Sequence, residues 1–393
     1  MFLFSYEVLM VEDNEEGTEG GASSGPGAST ATARNIKEGP RVAFQIIPAE
    51  QALPPQTDGI RQVAAAIMGL LLIGSSLQLA LASNITKLPA ETLAWFSNPD
   101  NLNSDQLPPG LENWDPTSYI ETALPVLSGL LAVQVAHEAG HRIAAAIKGV
   151  KLGPSFFVPY SQVGSFGAIT PFTSMLKSRM QLWDVAAAGP LAGLMASTAL
   201  LVIGLMQSSG GDSTAAATTL DPAALAAQAS AASSLVAVPS GLFQGSLLLS
   251  GIVRAVLGES ALRGSTVLVS PLVIAGWCGI ITTALNTLPV GCLDGGRLVQ
   301  AAYGKQALSL SSFFTYLGLG LGLLGSSLAL PFGLYVIICQ QTAEKYIKDS
   351  VTPTGQGRET ATAVAVLAAV LILLPLAPEL ADSFGVGPAN PFL

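Results

Sequence analysis

Seven stretches of this chain are apolar over a length that can cross a bilayer: Gln62 to Ser83, Tyr119 to Lys148, Trp183 to Met206, Leu235 to Leu257, Val267 to Leu288, Leu308 to Leu328 and Thr360 to Leu376. The fourth is interrupted by Pro239, Gln244 and several glycines, the mark of a re-entrant or cavity-lining piece, tolerated at membrane depth only under cover of other helices. An eighth patch, Phe332 to Cys339, is too short alone and is expected to extend the sixth stretch past Pro331. Between Gly149 and Gln181 the pattern changes. There Gly153-Pro-Ser-Phe-Phe-Val-Pro159 and Gly164-Ser-Phe-Gly-Ala-Ile-Thr170 set aromatic and β-branched residues between turn formers, which is strand and hairpin chemistry. The expected architecture is an all-α polytopic membrane protein of about seven transmembrane helices, with a small β-hairpin or re-entrant loop after the second.

The ends are polar. Residues 1–60 carry the acidic run Glu12, Asp13, Glu15, Glu16 and a Gly/Ser/Ala tract around Gly20 to Thr32, and are expected to form a flexible tail. The opening Met-Phe-Leu-Phe-Ser-Tyr lacks the basic start and long apolar core of a secretory signal, so targeting is unreadable there, as in an incomplete or misassigned gene start. The membrane-embedded domain is expected over residues 61–347. A linker, the last span and a short tail follow over residues 348–393.

Composition agrees with the pattern: 50% of residues are apolar, 11% are charged and the mean hydropathy is +0.53, outside the soluble globular range. The formal net charge of −9 comes largely from polar segments and leaves no basic footprint for nucleic acid. With seven crossings, all Lys and Arg except Lys87, Arg297 and Lys305 fall on the N-terminal side, which is therefore expected to face the cytosol or a plastid stroma. Cys278, Cys292 and Cys339 have no paired spacing, so buried thiols are expected rather than disulfides or a cysteine zinc site.

Against this background the only two histidines stand four residues apart in one apolar segment, His137-Glu138-Ala139-Gly140-His141. At helical pitch both imidazoles share a face and can bind one Zn²⁺, with Glu138 close enough to take a proton from bound water. The competing readings are a capping or core histidine pair and surface histidines on a soluble helix. The setting is too apolar for the second and offers the first little to bond. A tetrahedral site needs a further protein ligand, and there is no third histidine. Of the carboxylates near the membrane, Glu121 lies roughly 24 Å before His137 at helical rise, and Asp184 looks like a helix-end charge. Asp294 is the best candidate: an apolar helix breaks at Pro289 and glycines let the chain fold back through Asp294-Gly-Gly-Arg297. The alternative for Asp294 is an Asx-turn or a pair with Arg297.

His137-Glu-Ala-Gly-His141 in one helix and the Asn286-x-x-Pro289-x-x-x-x-Asp294-Gly segment in another resemble the site-2 protease class of intramembrane zinc metalloproteases, the M50 peptidases. The stretches HRIAAAIKGVKLGPSFFVP, GSFGAIT, AAAGPLAGL, VPSGLFQGSLLLSGI and PLVIAGWCGIITTALNTLPVGCLDGGR are similar to the plastid members called EGY, the ethylene-dependent gravitropism-deficient and yellow-green proteases. The resemblance covers about Gln62 to Ile347. It implies Zn²⁺ held by His137, His141 and Asp294, Glu138 as general base and acid, a chloroplast membrane, and a membrane-spanning protein as substrate. The longer soluble N-terminal region, with its GNLR segment, that plastid members usually carry is not in this sequence.

On that reading Asn286, with Pro289 at the helix break, is placed to hold substrate backbone, against the alternative of a capping or interhelical contact for Asn286. Gly164, Ser165, Phe166 and Gly167 are the candidate edge to which an extended substrate pairs, against the alternative of a packing loop. Two rival functions are a metal or proton-coupled transporter and a catalytically silent zinc-containing scaffold or chaperone. No second copy of either motif supports the first, and a purely structural zinc has no use for Glu138.

Overall fold

The computed structural model describes residues 6–12, 42–48, 53–101, 106–209, 234–257, 266–322, 328–340 and 342–375. Strands β1 (Tyr6–Glu12) and β2 (Val42–Pro48) are followed by helices α1 (Gly59–Ser83), α2 (Ala90–Ser97) and α3 (Thr117–Lys148). Strands β3 (Phe156–Tyr160), β4 (Gly164–Ile169) and β5 (Leu176–Ser178) lead into α4 (Arg179–Ser209). Then come β6 (Val236–Pro239), α5 (Leu247–Leu257), β7 (Thr266–Val269), α6 (Pro271–Asn286), α7 (Asp294–Tyr303), α8 (Lys305–Gly322), α9 (Ala329–Cys339), β8 (Ile347–Asp349) and α10 (Gln356–Leu373).

Among the described residues four helices, α1, α3, α4 and α10, are long and apolar enough to cross a membrane. At their centre is α6. Ser270 caps it by accepting from the Leu272 amide, Pro271 starts it without an orphan donor, and every residue but Leu272 is buried. A helix apolar on all sides belongs inside a bundle, and α3, α4 and α10 surround this one. Phe243, Trp277, Val273, Ile280 and Phe332 belong to the same core.

Several expectations need correction. Leu235 to Leu257 is not one helix: β6 is followed by a 3-10 turn over Ser240–Gly245 and the 11-residue α5, because Pro239 and two glycines interrupt it. Val267 to Leu288 divides into β7 and the 16-residue α6, about 24 Å long and short of a full hydrocarbon thickness. The stretch from Leu308 belongs to α8, which begins at Lys305 and ends at Gly322, and Phe332 to Cys339 belongs to the separate α9 rather than extending it.

The architecture is also not wholly helical. Strands β3 and β4 pair antiparallel with a bulge between Phe157 and Pro159, and β6 pairs antiparallel with β7. A four-stranded sheet has the order β2-β1-β8-β5, with β1 and β5 parallel to β8. Two of its strands, Tyr6–Glu12 and Val42–Pro48, lie in the region expected to be a flexible tail; the rest of residues 1–52 is outside the described residues. The expected boundary at 347/348 falls inside β8. The helix beyond it, α10, adds Ala369 and Ile372 to the main core, so residues 342–375 are continuous with the bundle.

Candidate metal centre

Helix α3 ends where Gly149 takes a left-handed conformation, eight residues after His141. The i, i+4 spacing puts both imidazoles on the face turned toward α4 and α7. Asp294 is the first residue of α7, brought there by the fold-back over residues 287–293, in which the Val290 amide donates to Leu288 O and the Leu293 amide to Val290 O. Gly295 makes that fold-back close: a β-carbon at this position would overlap the Thr287 carbonyl.

His137 Nε2 and His141 Nε2 are 3.1 Å apart, and Asp294 Oδ2 lies 3.1 Å from the first and 3.3 Å from the second. All three residues are buried, at 7%, 5% and 8% exposure, so bulk water is not their partner. His141 Nδ1 donates to Val185 O at 2.8 Å, which fixes the tautomer and leaves Nε2 with its lone pair. The bare His141 Nε2, His137 Nε2 and a carboxylate oxygen converge on one point, which a cation between them would satisfy. Their separations agree with the edge of a tetrahedron, about 3.3–3.4 Å for ligand bonds of about 2.0–2.1 Å. The donor set therefore fits Zn²⁺. The alternative of an Asp294–Arg297 pair is not what forms, because Arg297 pairs with Glu344 at 3.6 Å.

Glu138, 7% exposed, points to the β3–β4 segment, where its Oε2 accepts from Ser155 Oγ at 2.5 Å and from Thr170 Oγ1 at 3.0 Å. Neither hydroxyl is marked by any spacing in the sequence. Gly189 on α4 is a further missed contributor. A β-carbon there would overlap the His141 ring, so the small residues of AAAGPLAGL are what let α4 approach the site.

The remaining candidates lie beside the site without reaching the three ligands. Asn286 Nδ2 donates to Phe166 O at 2.8 Å and to Thr282 O at 2.9 Å, tying α6 to β4. Thr282 Oγ1 donates to Ser165 O at 3.0 Å, and Ser75 Oγ to Gly164 O at 2.6 Å. The carbonyls of Gly164, Ser165 and Phe166 are thus each engaged by a side chain of α1 or α6. Ser165 Oγ also accepts the Gly167 amide, and Phe166 stacks on Tyr160 at 4.3 Å with Phe332 edge-on at 5.3 Å. Pro289 faces α8, where its carbonyl accepts from Ser311. Asp184 bridges Lys148 at 2.5 Å and Arg358 at 3.0 Å, a charge cluster at the ends of α3, α4 and α10.

Residues 125–324 match the model of peptidase family M50. The chain is 43% identical over 388 residues to the probable zinc metalloprotease EGY1, chloroplastic, of Oryza sativa subsp. japonica, and 45% identical over 354 residues to the protein of the same name from Arabidopsis thaliana. The alignments cover 98% and 90% of this chain. The chain spans 60% of the length of each relative. No solved structure matches it.

Proposed function

The chain belongs to peptidase family M50, and from that premise we propose that it is an intramembrane zinc metalloprotease that cuts a membrane-spanning segment of another protein. The observation that carries this reading is the convergence of His137, His141 and Asp294 with Glu138 alongside, buried in an apolar helical bundle. These three residues would hold Zn²⁺, which supplies a Lewis acid able to polarise a carbonyl and to lower the pKa of water toward neutrality. Glu138 takes a proton from the attacking water and returns it to the leaving amine. Val185 holds the His141 ring in its ligating tautomer. The transporter and silent-scaffold alternatives are not favoured: no second copy of either motif supports the first, and a purely structural zinc has no use for Glu138.

Substrate helices hide their peptide bonds and must be unwound to be cut. We infer that an extended segment docks on Gly164–Gly167, replacing the bonds that Ser75, Thr282 and Asn286 make to that strand. The location we propose, a chloroplast membrane, is supported by the names of the relatives.

We also infer seven crossings, with different members from those in the hydropathy pattern. Because β6 pairs antiparallel with β7, the segment between them begins and ends at one depth and does not cross alone. Ser270 donates from its amide to Ser208 Oγ, so α6 starts where α4 ends. The sheet joining β1, β5 and β8 supports one side for all three. The crossings are then α1, α3, α4, α6 with α7, α8, α9 with the segment after it, and α10. Arg297 and Lys305 move to the basic side, and Arg254 and Arg263, which lie between β6 and β7 in sequence, leave it, so the charge bias survives.

The test is cleavage of single-span reporter proteins in detergent or vesicles by the purified, zinc-loaded chain. Cleavage is expected to stop with a chelator and to return with Zn²⁺. Cleavage indifferent to the chelator, with the metal verified as removed, contradicts the reading.

A further inference from the structure

Glu138 is bonded to both ends of one hairpin. Ser155 immediately precedes β3 and Thr170 immediately follows β4, and the two hydroxyls close on the same carboxylate oxygen, Oε2. Each arm is anchored in turn. Arg142 Nη2 donates to Ser155 Oγ at 2.7 Å and to Gly153 O at 3.3 Å. Arg297 Nη2 donates to Thr170 O at 3.2 Å, and its guanidinium lies over the Phe172 ring, 4.8 Å from the centroid. Arg142 is one turn beyond Glu138 on α3, and Arg297 is three residues beyond Asp294 on α7. The base of the hairpin is thereby fixed to the two helices that bring the site together.

A carboxylate with two donors on one oxygen cannot turn without losing both bonds, and hydrogen bonds to an ionised group are the strong kind. The other oxygen keeps its accepting capacity. We propose that Ser155 and Thr170 are positioning residues for Glu138: by holding Oε2 they make Oε1 the oxygen that takes and returns the proton, and they tie its position to the β3–β4 hairpin. The proposal rests on the reading of Glu138 as the base. It also connects the docking strand to the chemistry, since a shift of the hairpin moves the carboxylate with it.

Steady-state cleavage of a single-span reporter by the zinc-loaded full chain tests this with Ser155→Ala and Thr170→Val. Each is expected to lower kcat about tenfold, with KM within about twofold and zinc content unchanged, because geometry at the proton-transfer step is lost while binding is not. Ser155→Thr and Thr170→Ser keep a hydroxyl and are expected to recover most of kcat. In a Glu138→Gln background neither Ser155→Ala nor Thr170→Val should lower the residual rate further, because no base remains to be positioned. Wild-type kcat in the Ser155→Ala, Thr170→Val double variant overturns the proposal. So does a loss that the hydroxyl-bearing variants fail to restore, which marks a structural role. Failure of the underlying reading is distinct: Glu138→Gln then cleaves at the wild-type rate, or the wild type cuts none of the reporters.

Discussion

At the scale of single residues, the proposed site depends on groups that have no chemistry of their own. The Val185 carbonyl settles which nitrogen of His141 is bare, and Gly189 leaves that ring its room. Gly189→Ala is expected to cost about 1–3 kcal/mol in stability through overpacking and to weaken metal retention, read by thermal unfolding and zinc content of the same preparation. Asp294→Ala should bring zinc from about one ion per chain to below a tenth, since two imidazoles alone leave the site without its carboxylate; unchanged zinc would remove Asp294 from the ligand set. His137, Glu138, His141 and Asp294 were visible in the sequence because ionisable groups inside apolar stretches need partners. Ser155 and Thr170 were not, since hydroxyls are common in strand-forming loops and nothing in their spacing points to Glu138. Asn286 stood out only through the resemblance of its segment to the family's, and its amide bonds the Phe166 carbonyl within the chain.

At the scale of elements, hydropathy found the long helices and misjudged the short ones. Helices α1, α3, α4 and α10 each carry enough apolar residues in succession to be read directly. Leu235 to Leu257 is equally apolar, but its breakers divide it into β6, a turn and α5, and the pairing of β6 with β7 depends on residues some thirty positions apart. The proposed topology follows from that pairing and can be checked there. In a cysteine-free background, Pro239→Cys and Thr266→Cys should react with a membrane-impermeant thiol reagent from one side, and Lys177→Cys from the other. Labelling of Pro239→Cys and Thr266→Cys from opposite sides would make the segment between them a crossing after all.

At the scale of the whole molecule, the sheet β2-β1-β8-β5 joins residues near 10, 177 and 348, separated by most of the helical bundle. It was not legible in advance, because β5 and β8 are three residues each and their partners lie far off in sequence. Met10 is its hinge point: its carbonyl accepts from both the amide and the hydroxyl of Ser350. Met10→Pro removes the donor of the pairing strand and bends it. It is expected to speed amide exchange over Ile347–Asp349 at least tenfold while zinc content stays at the wild-type level. Loss of zinc in this variant would mean that the sheet supports the site rather than only the chain around it.

The central claim, that a buried zinc and Glu138 together hydrolyse a peptide bond, meets its most direct test in Glu138→Gln when zinc content and reporter cleavage are measured on the same sample. The account predicts about one zinc per chain, as in the wild type, with cleavage reduced at least a hundredfold. Zinc retained with cleavage at the wild-type rate would contradict it.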